Sequence, residues 1–304
     1  MDLDRGTDPQ RAPPDEARRL ARPDGATIAY RVRRPDTGAP AAPVLMLHGL
    51  ASNLSRYDEF VEHTALVAQH VLLRVDLRGH GGSLTRRRID SARWCDDLAA
   101  LLQAERAGPA IVVGHSLGAQ VALQLAQRHP RHVRALVLID PVFRAALHGH
   151  WRWLARASPL IALAAAAARA LAAIGLHRGA LPPLDLRALD VMARRALASP
   201  QAEAEFVRRY SSTRADLRHV PTSVYLQDLV EMFRPAPLPR SLGVPVLALL
   251  SSGATFADAA AMRTLLAGPQ VRLQDVECQH WPLTERPREV REAIERWVQA
   301  LPDG

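Results

Sequence analysis

Short stretches rich in apolar residues, many of them β-branched, recur along this chain between longer segments with helical spacing. The runs at 43–47 (PVLML), 70–75 (HVLLRV), 110–113 (AIVV), 133–139 (VRALVLI), 244–250 (VPVLALL) and 271–276 (VRLQDV) predict strands, and 26–32 predicts another. Between them, 89–104 places Ile89, Trp94, Leu98, Leu101 and Leu102 on one helical face, and 117–128, 256–266 and 286–300 also read as helices. Strands that are apolar throughout, rather than alternating, are covered on both faces. Their regular alternation with helices predicts an α/β fold, with a mostly parallel central sheet and helices on both sides. Such a sheet presents its strand C-termini along one rim, where sites are built.

The stretch from 143 to 235 breaks the alternation. It is rich in helix formers and poor in strand patterns, which predicts three to five helices inserted after one strand and returning to the sheet near Leu242. The expected organisation is a flexible leader over 1–22, an α/β core over 23–142 and 236–304, and a helical cap over 143–235. Within the insertion, ASPLIALAAAAARALAAIGL at 157–176 invites comparison with a membrane span. Pro159, Arg169 and the weak transfer of alanine point instead to a buried or interfacial helix, so no integral membrane span is expected.

Composition adds limits more than chemistry. A chain of 304 residues with 48% hydrophobic and 23% charged residues accommodates one large domain with an insertion. The net charge of +8 comes with 39 basic residues, all of them arginine, a uniformity that reads as compositional bias. The tight run Arg86-Arg87-Arg88 lacks interleaved aromatics, so no nucleic-acid partner is expected. Cys95 and Cys278 are the only cysteines, too few and too far apart for a disulfide framework or a zinc site. With no apolar stretch near the N-terminus, the expected location is cytoplasmic.

The chemistry centres on IVVGHSLGAQVA at 111–122, where a serine flanked by glycines two places away on either side sits between a strand and a helix. This pattern describes a nucleophile elbow, a turn too tight for side chains at Gly114 and Gly118, which presents Ser116 at the rim. The helix beginning at Leu117 aims its N-terminus at the site, and the Leu117 N–H is one donor for a developing oxyanion. A serine nucleophile needs a base titrating near neutrality, which means a histidine. Of the 12 histidines, His280 lies in a loop before the final helix, which returns it to the same rim.

The chain resembles the α/β-hydrolase superfamily in its capped, serine-nucleophile branch. The resemblance covers about residues 26–301 and rests on LMLHGLASN at 45–53, VDLRGHGGS at 75–83, VVGHSLG at 112–118, LVLIDP at 136–141 and QHWPLTERP at 279–287. It implies that the Leu50 N–H is the second oxyanion donor and that the order serine, acid, histidine holds. It also marks a departure, because the loop after VPVLALL, where relatives commonly carry the acid, here reads SSGATFAD. Other branches place the acid at the end of the preceding strand, which here is Asp140. Asp258 is the alternative acid, although its place before AAAMRTLL also suits a helix cap. His48, His115, Asp76 and Arg78 read as packing and hydrogen-bonding residues.

The expected function is a serine hydrolase working through an acyl-enzyme on an ester or lactone of a small to medium, partly apolar substrate, with Trp151, Trp153, Leu154 and Leu160 of the cap supplying apolar contacts. Carbon–carbon bond (diketone) and thioester hydrolysis are alternatives on the same residues. A binding protein with an incomplete triad is the alternative from another class. No cofactor and no metal is implied, and the expected partners are a small-molecule substrate and, as one option, a second copy in a homodimer.

Overall fold

A computed structural model of the chain describes residues 15–36, 38, 40–196, 212–253 and 256–302. Eight strands, β1 (Glu16–Ala21), β2 (Thr27–Arg33), β3 (Ala41–Leu47), β4 (His70–Val75), β5 (Ala110–His115), β6 (Val133–Ile139), β7 (Val246–Ser251) and β8 (Val271–Val276), form one sheet in the order β1-β2-β4-β3-β5-β6-β7-β8. From β4 to β8 every pairing is parallel, and the β1–β2 and β2–β4 pairings are antiparallel. This is the α/β architecture expected from the apolar runs.

Alternate residues of the central strands feed two cores. Val44, Met46, Leu72, Ile111, Val113, Ala135 and Val137 pack with Phe60, Val61, Val290, Ile294 and Trp297 on one face. Leu45, Leu47, Leu73, Val75, Val112 and Leu136 pack with Leu98, Leu101, Leu102, Val121 and Leu125 on the other. Burial on both sides is why these strands lack a polar phase.

The first strand corrects an expectation. Residues 1–14 lie outside the described residues, but Glu16–Ala21, read as part of a flexible leader, pairs with β2 from Glu16↔Val32 to Ala21↔Thr27. An edge strand needs neither an apolar face nor a second neighbour, and charge on it discourages pairing with other chains. Arg18 ties this edge to Glu105, with contacts of 2.9 and 3.0 Å. The run EARRLA, in which Leu20 is the one large apolar residue and packs against the core, therefore carries little of the hydrophobic signal on which strand recognition depends.

Between β6 and β7 the described residues include five helices: Gly149–Arg156, Ser158–Ala173, Leu186–Ala196, Thr213–His219 and Thr222–Met232. The last of these anchors the insertion to the sheet domain. Gln227 Oε1 accepts from the Ile89 N–H (2.9 Å), Glu231 Oε2 from the Ser91 N–H (3.1 Å), and the Met232 carbonyl from Gln120 Nε2 (3.2 Å). Helix Ser158–Ala173 in turn packs along Thr222–Met232. Among the described residues no single helix is long and apolar enough to cross a membrane; Gly149–Arg156 and Ser158–Ala173 would reach that length only together, and they are bent by 66°.

Candidate active site

Ser116 occupies the corner between β5 and helix Leu117–Arg128 with φ 53° and ψ −115°. That left-handed conformation is unfavourable for a residue with a side chain, and it persists because the surroundings over-determine it. The Ser116 N–H donates to the Ile139 carbonyl at 3.0 Å. A Cβ on Gly114 would lie 2.3 Å from the Gly118 carbonyl oxygen, and one on Gly118 would lie 2.3 Å from that of Leu47. Both glycines are therefore required by backbone contacts on either side of the serine.

The loop carrying His280 is positioned by the sheet beyond β7. The Ser252 N–H donates to the Val276 carbonyl (3.0 Å) and the Gly253 N–H to that of Cys278 (2.9 Å), which extends the β7–β8 pairing into the two loops. His280 Nε2 then stands 2.9 Å from Ser116 Oγ, and its Nδ1 meets Asp140 Oδ2 in a short contact. Nδ1–H donating to the carboxylate leaves Nε2 unprotonated, the form that accepts the serine proton. Phe256 packs edge-on against the imidazole, with centroids 4.3 Å apart. His115 Nε2 bonds the His280 carbonyl at 3.0 Å. Burial and the nearby imidazole push the His115 pKa down to about 3, so His115 is a neutral support.

Asp140 follows β6 with φ 43°. Its other oxygen accepts the Ser251 N–H at 3.0 Å, so the acid-free SSGAT loop supplies a backbone donor. Burial pushes the Asp140 carboxyl up, but the imidazole beside it and the hydrogen bonds from His280 and Ser251 outweigh that and hold it below its ordinary value. Asp258, the alternative, is spent locally: it caps helix Ala259–Leu266 by accepting from the Ala261 N–H at 2.7 Å. The geometry brings Asp140 to His280 and leaves Asp258 on its own helix.

Leu117 is the first residue of the helix after Ser116, where backbone N–H groups have no intrahelical acceptor. Leu50 lines the same cavity as Ser116 and His280. The loop before it is pinned by His48: Nε2 accepts the Leu77 N–H (3.1 Å), so Nδ1–H donates to the Gly49 carbonyl (2.8 Å). Burial first, then the neighbouring His80, holds the His48 pKa well below its usual value, which suits that neutral form. Asp76 accepts from the Leu54 and Gly82 N–H groups (2.8 and 2.7 Å), and Arg78 pairs with Asp97 (2.7 Å). Both are engaged in holding loops.

Val142, Leu147, Trp151, Met232, Phe256 and Trp281 give the cavity apolar walls. Of the cap residues expected to contact substrate, only Trp151 lines it. Trp153, Leu154 and Leu160 turn outward, with exposures of 62%, 37% and 70%. The helical spacing identified them as apolar, but which side of each helix meets the site depends on packing that spacing does not encode.

Four polar residues of the cavity escape the sequence-based reading: Ser52, Arg56, Asp216 and Tyr225. Arg56 Nη1 is held by both Asp190 oxygens (2.8 Å each) and by Thr284 Oγ1 (2.6 Å), so its charge is matched within the protein. Ser52 Oγ is buried with no hydrogen-bond partner among the described residues. Burial pushes the Asp216 carboxyl up to about 7, against a hydrogen bond with the Tyr225 hydroxyl. In a chain with 39 arginines, nothing in the spacing distinguishes Arg56, and a lone aspartate in a helical insertion carries no signal either.

The chain is 37% identical over 119 residues to lipase LipV of Mycobacterium tuberculosis, a match covering 38% of this chain and 42% of the lipase. It is 40% identical over 95 residues to the pimeloyl-[acyl-carrier protein] methyl ester esterase of Neisseria meningitidis, covering 31% of this chain and 34% of that enzyme. These matches span less than half the length of either relative. In three dimensions it is similar to the enol-lactonase from Burkholderia xenovorans LB400, with a TM-score of 0.65 at 19% identity over 91% of this chain and 98% of that one, a likeness of fold. The sequence model of the alpha/beta hydrolase family matches residues 44–293, from β3 into the final helix, and the chain belongs to that family.

Proposed function

We propose that the protein is a serine hydrolase that cleaves an ester or lactone through an acyl-enzyme. Ser116 attacks the carbonyl, His280 takes and returns the proton, Asp140 orients the imidazole, and the N–H groups of Leu50 and Leu117 bind the oxyanion. The observation that carries this reading is the unbroken series from Ser116 Oγ through His280 to Asp140, with 2.9 Å between serine and imidazole. The partial likeness to a lipase and a methyl ester esterase supports an ester over a carbon–carbon bond or a thioester. The mainly apolar cavity supports a partly apolar acyl or alcohol group.

A panel of p-nitrophenyl esters of graded acyl length, with lactones and acyl thioesters beside them, tests this. Short to medium neutral esters are expected to turn over fastest. Thioesters hydrolysed well ahead of every ester would overturn the substrate class, and no turnover of any member would favour a binding protein.

Asp216 adds a pH-dependent selectivity. With its carboxyl pushed up to about 7, the cavity wall is neutral below that pH and negative above it. Between pH 6 and 8, kcat/KM for the anionic mono-p-nitrophenyl succinate should fall by about tenfold relative to neutral p-nitrophenyl butyrate, as expected for like charges at an effective dielectric near 20. Taking the ratio of the two substrates cancels any titration common to both. In Asp216→Asn the ratio should stay flat, and a slope unchanged from the wild type would refute the assignment.

A further inference from the structure

We infer that the outer face of the cap is a docking surface for an anionic lipid interface. The helix Ser158–Ala173 buries only one side. Ala165 and Ala172 are buried, and Ile161, Ala168 and Arg169 are half-buried, on the helix that packs along Thr222–Met232. The opposite stripe, Leu160, Leu163, Ala164, Ala167, Leu171 and, just past the helix, Ile174, follows helical spacing and is exposed throughout. Leu160, Leu163 and Ile174 are 70%, 69% and 73% exposed. No polar residue interrupts that stripe, whereas a surface helix ordinarily turns polar residues outward. Trp153 and Leu154 on the preceding helix and Leu176 beyond the stripe are exposed as well. Single exposed apolar residues are ordinary, but a concentration of this kind marks an interaction site.

Charge decides the occupant. From Val142 to Leu184 the chain carries Arg144, Arg152, Arg156, Arg169 and Arg178 and no aspartate or glutamate. Arg152 and Arg156 are exposed beside the apolar face, and the Arg156 guanidinium lies over the Trp153 ring, 4.8 Å from its centre. A second copy placed face to face would bring arginine against arginine with no acid from this stretch between them. A lipid surface bearing phosphate groups supplies the counter-charge, and tryptophan with arginine beside leucine is the composition of interfacial helices. Depth is limited as well: 16 residues of helix extend about 24 Å, less than the roughly 30 Å hydrocarbon core, so the helix lies in the plane of the interface.

The test is co-sedimentation of the full-length protein with phosphatidylcholine vesicles, with and without phosphatidylglycerol. Binding is expected only with phosphatidylglycerol, weakening as salt is raised. It should be lost in the triple variant Leu160→Glu, Leu163→Glu, Ile174→Glu, whose ester hydrolysis and far-ultraviolet circular dichroism should match the wild type. Arg152→Gln with Arg156→Gln should lower partitioning by about tenfold or more. Wild-type protein that stays in the supernatant, or that binds both vesicle types equally, overturns the inference. So does a dimer in solution that the triple variant dissociates, since the face would then be covered by a second copy. Ser116→Ala protein should bind vesicles like the wild type, which keeps this result separate from the proposed hydrolase activity.

Discussion

Ser116→Ala is expected to abolish labelling by a fluorophosphonate probe and to lower kcat for p-nitrophenyl butyrate by roughly 10⁴- to 10⁶-fold, the range for removal of an activated serine. The physical basis is the 2.9 Å separation between Ser116 Oγ and His280 Nε2. The hydroxyl is a weak nucleophile until a base accepts its proton, and in the proposed mechanism that base is His280. His280→Ala should lose about as much, and the double variant little more, because groups acting as a unit are not additive. A residual rate above water is expected from oxyanion stabilisation by the Leu50 and Leu117 N–H groups, which both substitutions leave in place. Probe labelling that persists in Ser116→Ala, or losses that multiply in the double variant, would refute the assigned roles. Failure of the intact, folded protein to label would favour a binding protein.

Asp140→Asn comes next in size, with kcat falling by about 10⁴-fold. An amide N–H facing His280 Nδ1 would make that nitrogen an acceptor and move the ring proton to Nε2, where it can no longer accept from serine. Asp258→Asn should leave kcat within about twofold and stability within a few tenths of a kcal/mol, since asparagine caps helices as well as aspartate does. The opposite pattern, with Asp258→Asn inactive and Asp140→Asn active, would reverse the choice of acid. The Asp140 carboxyl also contributes to stability. Its folded-state value lies below the ordinary 3.8, so its contribution is complete above about pH 4 and is lost as pH falls through the depressed value. Urea unfolding of wild type and Asp140→Asn should therefore converge on acidification, whereas a constant difference from pH 7 down to 3 would show that the carboxylate charge adds nothing.

The sheet was legible in the chain because its central strands are buried on both faces. An apolar run such as VLLRV has few alternatives to a covered strand, and the glycines around Ser116 announce a turn no other residue could make. His70–Val75, Leu117–Arg128, Val133–Ile139 and Val271–Val276 fall where the pattern places them. The edge strand Glu16–Ala21 was invisible for the converse reason: it needs only one neighbour, and acidic side chains and solvent accept its arginines.

The sequence by itself determined which residues stand at strand ends and turns, because local backbone requirements and two-sided burial are written in neighbouring residues. Asp140 and Asp258 both met that local test. Only the tertiary structure sets them apart, by laying β6 beside β7 so that Asp140 meets both the Ser251 N–H and the His280 ring. The direction in which each cap helix faces was likewise settled by packing, with Trp151 turned into the cavity and Trp153 outward. The raised carboxyl of Asp216 arose the same way, since the environment of a side chain is set by segments far away in the chain.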